Sequence, residues 1–250
     1  MRFRQAIPPG PDVSPQERYA GLGLGARADG DRPYVVCNFV SSADGKATAS
    51  GRTAPLAGTG DKAAFHLLRT QVDAVLAGTG TLAIERYGVP VRDERLIEIR
   101  LAEGRPAQPL AVVISRSGDI PFEIPLFGNA RSRIVLYAPP GTAVPDCPAD
   151  VTVHEVDSAH FELGDVLRSL RRDHDVRSLL CEGGPILFNA LLAEDLVDEL
   201  FLTVSPVLVG GDELGITSGA RLETPQPLRL VWALEHDGNL LLRYARAYAE

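Results

Sequence analysis

The sequence predicts an α/β domain built on a mixed, mostly parallel sheet flanked by helices, with an antiparallel hairpin at its C-terminal end. Three observations carry that expectation. Short β-branched and apolar runs alternate with helical patterns from Tyr34 to Glu194, the order that gives parallel strands joined by crossover helices. Beyond Glu199 the strand-like runs continue with no helix between them. The last two of these meet at His236-Asp237-Gly238, and Asp-Gly between apolar runs signals a hairpin.

Tyr34 to Val40 is a near-continuous apolar run suited to a sheet buried on both faces. Asp61 to Gln71 has helical spacing, with Phe65, Leu67, Leu68 and Val72 as its apolar contacts. Val72 to Ala77, Leu110 to Ser115, Arg133 to Ala138, Val151 to Val156 and Ser178 to Cys181 read as strands. Asp93 to Ala102, Glu162 to His174 and Pro185 to Glu194 read as the intervening helices. Glu199 to Val209, Arg229 to Glu235 and Asn239 to Tyr248 complete the strands. Residues 1–32 hold Pro8-Pro9-Gly10-Pro11 and then Gly21, Gly23, Gly25 and Gly30, and read as an arm or loosely packed extension. Residues 33–250 show no internal repeat or linker and read as one domain.

Composition excludes several classes. The 250 residues carry 25 Lys+Arg against 33 Asp+Glu, a net charge of −8. That balance argues against nucleic acid bound through a basic surface, and against a charge-driven grip on membranes. Cys37, Cys147 and Cys181 are odd in number and form no Cys-x-x-Cys pair, so neither a disulfide framework nor a zinc site, nor any other metal, is expected. Met1 to Pro15 lacks a signal-peptide core, no apolar run is long enough to cross a membrane, and the expected compartment is the cytoplasm. The 24 glycines and 19 prolines place much of the chain's character in short loops.

The richest local pattern is Leu179-Leu180-Cys181-Glu182-Gly183-Gly184-Pro185-Ile186-Leu187. An apolar strand runs into two glycines, and a proline then opens a helix at a position that suits it. Glycine lets a backbone approach a ligand closely, and helix N-termini attract phosphate. The pattern fits a pyrophosphate or 2′-phosphate site for a dinucleotide; it also fits a tight turn that needs glycine for steric reasons alone. It is not Gly-x-Gly-x-x-Gly, so an ordinary Rossmann dehydrogenase is not supported. Gly78-Thr79-Gly80-Thr81, after the strand ending at Ala77, reads as a second small loop where ligands collect in open α/β sheets. Ser41-Ser42-Ala43-Asp44-Gly45-Lys46 offers hydroxyls, a carboxylate and an ammonium, although an Asp-Gly turn accounts for it on local physics.

These segments occur in order with others: Asn38 to Lys46, Leu67-Leu68-Arg69, Gly78 to Thr81, Glu182 to Pro185, Val197-Asp198-Glu199-Leu200, and Ser205-Pro206-Val207-Leu208-Val209-Gly210-Gly211. Together they resemble the reductase domain of the bacterial riboflavin-biosynthesis deaminase/reductase, the RibD C-terminal family, from Tyr34 to Tyr248. The resemblance implies a dihydrofolate-reductase-like fold and a homodimer. It also implies NADPH-dependent reduction of 5-amino-6-(5-phosphoribosylamino)uracil to the ribitylamino product. Gly183, Gly184, Pro185, Ile186, Leu187 and Phe188 match the segment that holds NADPH phosphates, with Glu182 turned towards the substrate. Thr81 and Ser115 match cofactor-side positions, and Val40 and Ser41 stand where backbone groups face the nicotinamide. Thr53, Arg69 and Arg92 match substrate-contacting positions, and guanidinium forks suit a sugar phosphate. Without the family, Arg69 reads as a solvated charge on a helix. Glu85 and Asp44 are the candidates for moving the proton.

Two residues depart from the family pattern. Glu85 stands where the family usually has Asp, which moves the carboxylate by about an ångström, a displacement that can cost roughly 10²-fold in rate. Pro55 stands where the family often has Trp or another bulky residue. The substrate is therefore open: reduction of another pteridine or pyrimidine such as dihydrofolate is one alternative, and a non-catalytic nucleotide-binding dimer another. The fused deaminase of the family pairs His-x-Glu with Pro-Cys-x-x-Cys around zinc. That pair is not complete in this sequence, which is expected to be a stand-alone reductase. His66, His154, His160, His174 and His236 lie outside the motifs and read as surface or core residues.

Overall fold

The computed structural model describes residues 1–157 and 161–247. In chain order the elements are β1 (Arg4–Ile7), α1 (Pro15–Tyr19), β2 (Tyr34–Ser42), α2 (Thr59–Thr70), β3 (Ala74–Gly78), α3 (Thr79–Ile84), α4 (Glu94–Ala102) and β4 (Leu110–Ile114). There follow β5 (Arg133–Ala138), β6 (Asp150–Glu155), α5 (Leu163–His174), β7 (Ser178–Cys181), α6 (Pro185–Ala193), β8 (Glu199–Ser205), β9 (Leu228–His236) and β10 (Asn239–Arg246). The class is the expected mixed α/β one. The chain divides into two units: one comprises residues 1–22 and 35–68 and the chain from Pro185 onward, the other residues 23–34 and 69–184.

In the unit holding residues 69–184, β7, β3, β4, β5 and β6 lie side by side in that order, every pair parallel. All five residues of β4 are buried, as a strand with parallel neighbours and both faces covered requires. β6 has the exposed, charge-tipped pattern of an edge, with Asp150, Thr152, Val153 and Glu155 exposed. One hydrophobic cluster gathers Leu82, Val113, Ile124, Phe127 and Leu136. α5 buries Leu163, Val166, Leu167 and Leu170, the i, i+3, i+4, i+7 stripe of an amphipathic helix. Its last turn carries Arg171, Arg172 and His174, favourable at the negative end of the helix.

In the other unit the strand order is β1, β9, β10, β8, β2. β2 and β8 pair in parallel, while β8, β10, β9 and β1 pair antiparallel in succession. Asp237 and Gly238 have φ of +49° and +77° between the paired His236 and Asn239, so the expected hairpin closes through a two-residue turn with both central φ positive. Tyr19, Phe201 and Trp232 pack with ring centroids 5.6 to 6.0 Å apart. Beside them Arg243 binds the buried Glu199 with two hydrogen bonds of 2.8 and 2.9 Å.

Three expectations change. Residues 1–32 are not loosely packed: β1 pairs with β9, Phe3 and Leu24 are fully buried, and α1 has a reciprocal capping box between Ser14 and Glu17. The proline-rich stretch is only the turn that returns the chain from Phe3 to Val13. Gly78 to Thr81 is not a loop, because Thr79 opens the short helix α3 directly from β3. β8 stops at Ser205 rather than Val209, since Pro206 has no N–H for the ladder. Tyr248, in the expected last strand, and His160 lie outside the described residues.

Candidate functional site

The diglycine turn at Gly183-Gly184 is held by backbone hydrogen bonds and by close packing. Glu182 N–H donates to the Leu76 carbonyl at 2.9 Å, and Gly78 N–H donates to the Gly183 carbonyl at 2.8 Å, which stitches the turn to the end of β3. Gly183 has φ +97°, and the Gly183–Gly184 peptide is cis. A Cβ on Gly184 would lie 2.9 Å from Thr81 Oγ1. Glycine is therefore needed at Gly183 for conformation and at Gly184 for space. Pro185, the next residue, begins α6.

Glu182 is the anchor of this turn. Arg69 Nε and Nη2 each stand 2.6 Å from one of its carboxylate oxygens, and the Tyr87 hydroxyl donates to Oε2 at 2.6 Å. The remaining Arg69 nitrogen donates to the Pro90 carbonyl at 2.9 Å. The side chains of Arg69 and Glu182 are only 8% and 2% exposed. Burial alone would lower the Arg69 pKa, but the charge and hydrogen bonds of Glu182 raise it instead. Burial pushes the Tyr87 phenol well above its ordinary value, and the Glu182 charge adds to that, so Tyr87 is a donor at neutral pH. Arg69 and Glu182, which the family resemblance sets on the substrate side, are paired with each other here. Their polar atoms serve each other, because a buried guanidinium and a buried carboxylate each need a partner.

The remaining residues of this unit are more dispersed. Ser115, buried after β4, accepts from Gly118 N–H and donates to the Asp119 carbonyl, both at 3.1 Å, so its hydroxyl closes a local turn. Glu85, half-buried, is the C-cap residue of α3. Arg92 is exposed and lies against Gly88, where a Cβ would come within 2.8 Å of its Nη2. Among the described residues Arg92 forms no ion pair.

In the other unit Val40 and the buried Ser41 lie near the end of β2, opposite Thr203 and Val204 of β8. Asp44 follows and accepts from the Ser42 hydroxyl at 2.5 Å, from Val209 N–H at 3.1 Å and from Gly210 N–H at 2.7 Å. The Ser42 hydrogen bond first, then the two N–H groups, lower its pKa to about 2. Asp44 thus clasps the loop after β2 to the segment holding Val209 and Gly210. A second clasp escaped the sequence reading: Glu213 accepts from the Thr48 hydroxyl, and Lys46 donates to its carbonyl at 3.3 Å. Thr53 is half-buried, its carbonyl accepting from Leu56 N–H at 2.9 Å. Of the first turn of α6, Pro185 and Leu187 are half-buried and Ile186 is 72% exposed. Phe188 packs its ring against Phe39 at 4.6 Å and is 2% exposed, so only its backbone is left for a ligand.

The fold defines a class first: α/β proteins with a mixed, mostly parallel sheet flanked by helices. The chain belongs to the RibD C-terminal domain family, whose model matches residues 33–239. A relative from Archaeoglobus fulgidus named 2,5-diamino-6-ribosylamino-4(3H)-pyrimidinone 5′-phosphate reductase is 28% identical over 183 residues, 72% of this chain and 83% of its own. The riboflavin biosynthesis protein RibD of Mycobacterium tuberculosis H37Rv is 29% identical over 74% of this chain but only 47% of its own length. Among solved structures, a pyrimidine reductase-like protein from Corynebacterium diphtheriae superposes with a TM-score of 0.77, at 19% identity, over 95% of this chain and 100% of its own. The yeast riboflavin biosynthesis reductase gives a TM-score of 0.64 at 17% identity over 94% and 100%. Among the described residues no helix is long and apolar enough to cross a membrane.

Proposed function

We propose that the chain is an NADPH-dependent reductase of riboflavin biosynthesis, converting 5-amino-6-(5-phosphoribosylamino)uracil to its ribitylamino product, and that it works as a cytoplasmic homodimer. Family membership supports the reading. So does a turn suited to a dinucleotide, with glycine at Gly183 and Gly184 and Thr81 beside it. In this reading Gly183, Gly184 and the first turn of α6 from Pro185 to Phe188 hold the phosphates through backbone groups. Thr81 and Ser115 line the cofactor, and Val40 and Ser41 bound the nicotinamide end. When bound, the cofactor supplies the hydride. The substrate's ribosylamine opens to an imine, C1′ gains the hydride and the nitrogen gains a proton. Glu85 is the acid assigned to that proton, Asp44 being fixed as a carboxylate. Thr53 and the exposed Arg92 are the substrate-binding groups.

One observation favours a second reading. The Arg69 guanidinium is consumed by Glu182 and Pro90, so a sugar phosphate has one cation fewer than the family pattern offers. The pteridine ring of a substrate such as dihydrofolate carries no phosphate to be matched there. Steady-state NADPH oxidation with each substrate separates them. Turnover of the phosphoribosylaminouracil is expected; turnover of dihydrofolate alone would favour the second reading, and binding without turnover a non-catalytic dimer. NADPH should bind more tightly than NADH in a fluorescence titration, and binding of neither would remove the reductase reading altogether.

A further inference from the structure

We propose that Tyr87 and Arg69 are positioning residues for the dinucleotide turn, acting on it through Glu182; this rests on the reductase reading above. Glu182 immediately precedes Gly183, and its carboxylate receives three donors at 2.6 Å, two from Arg69 and one from Tyr87. Its N–H is held by the Leu76 carbonyl at 2.9 Å. Both ends of the residue are therefore pinned, and any rotation of the side chain breaks a charge-assisted hydrogen bond. Tyr87 in turn is tied to α3, its N–H donating to the Leu82 carbonyl at 3.1 Å. α3 carries Thr81, whose Oγ1 would stand 2.9 Å from a Cβ added at Gly184.

One phenol thus joins the two walls of the turn: the helix bearing Thr81 and the carboxylate that leads into the glycines. With the Thr81 hydroxyl already beside the place of a Gly184 Cβ, a few tenths of an ångström of drift would close or widen the gap. Arg69 and Glu182 expose too little surface to meet a substrate themselves. Their effect is on where the turn's backbone groups stand, and so on cofactor affinity.

Tyr87→Phe tests this, because it deletes one hydroxyl and leaves the ring over the Arg69 guanidinium, 5.4 Å from the ring centre. The NADPH dissociation constant should rise about tenfold, the scale of one hydrogen bond to a charged group. The substrate KM at saturating NADPH and the circular dichroism spectrum should stay at wild-type values. Combining Tyr87→Phe with Glu182→Gln should weaken NADPH binding no more than the more severe single change, since both act through one carboxylate. A folded Tyr87→Phe protein with wild-type NADPH affinity, or one in which only the substrate KM rises, would overturn the proposal. Wild-type protein that binds no NADPH would instead overturn the reductase reading, and this inference with it.

Discussion

Asp44 and Glu182 are both carboxylates beside a glycine turn, and their surroundings give them different work. Asp44 is exposed and accepts three hydrogen bonds that hold its pKa at about 2, against an ordinary 3.8. A depressed folded-state pKa means that its contribution is fully present above the ordinary value and is lost as pH falls towards 2. Asp44→Asn should therefore lower the melting temperature at neutral pH, and the gap from wild type should close as the pH drops below 4. A gap that persists undiminished to acid pH would show that the charge is not what the clasp uses. Turnover should survive the same substitution, whereas loss of the sole proton donor would abolish it. Gly184→Ala sets a Cβ against Thr81 Oγ1 and should weaken NADPH binding more than it lowers stability, which titration and thermal melts together would show. At this scale the sequence located the turn and its glycines. It could not show that Arg69 binds Glu182, 113 positions away, nor give Tyr87 any role, because Tyr87 stands in no motif.

The elements best read from sequence are those with the least ambiguous physics. β5 and β7 run over the expected residues, and β2 and β4 differ from expectation only at an end, because uninterrupted apolar runs have no other stable place. The Asp237-Gly238 hairpin was legible for the same reason. Gly238→Ala forces a Cβ at φ +77° and within 3.2 Å of Pro206, and should cost about 1 kcal/mol or more in chemical denaturation. β1 and α1 were hidden behind Pro8 to Pro11, although Ser14-Pro15-Gln16-Glu17 is a capping-box signature in plain view. Ser14→Ala should destabilise by about 1 kcal/mol, measurable in the same experiment; no change would mean that α1 is held by Tyr19 alone. α3 was missed because two glycines within Gly78 to Thr81 argue against a helix, yet the strand end delivers the chain straight into it.

At the scale of the molecule, net charge −8 excludes a broad basic surface while leaving room for one exposed arginine, Arg92, to meet an anionic substrate. Arg92→Ala should raise the substrate KM more than the NADPH KM; equal effects would place Arg92 elsewhere. The central claim is that this chain moves a hydride from NADPH to the ribose carbon of a phosphoribosylaminopyrimidine. Turnover with NADPH deuterated at the transferred position, followed by mass spectrometry and NMR of the product, tests it most directly. The account predicts one deuterium at C1′ of a ribitylamino product. Label on the pyrimidine ring, or no product at all, would contradict it.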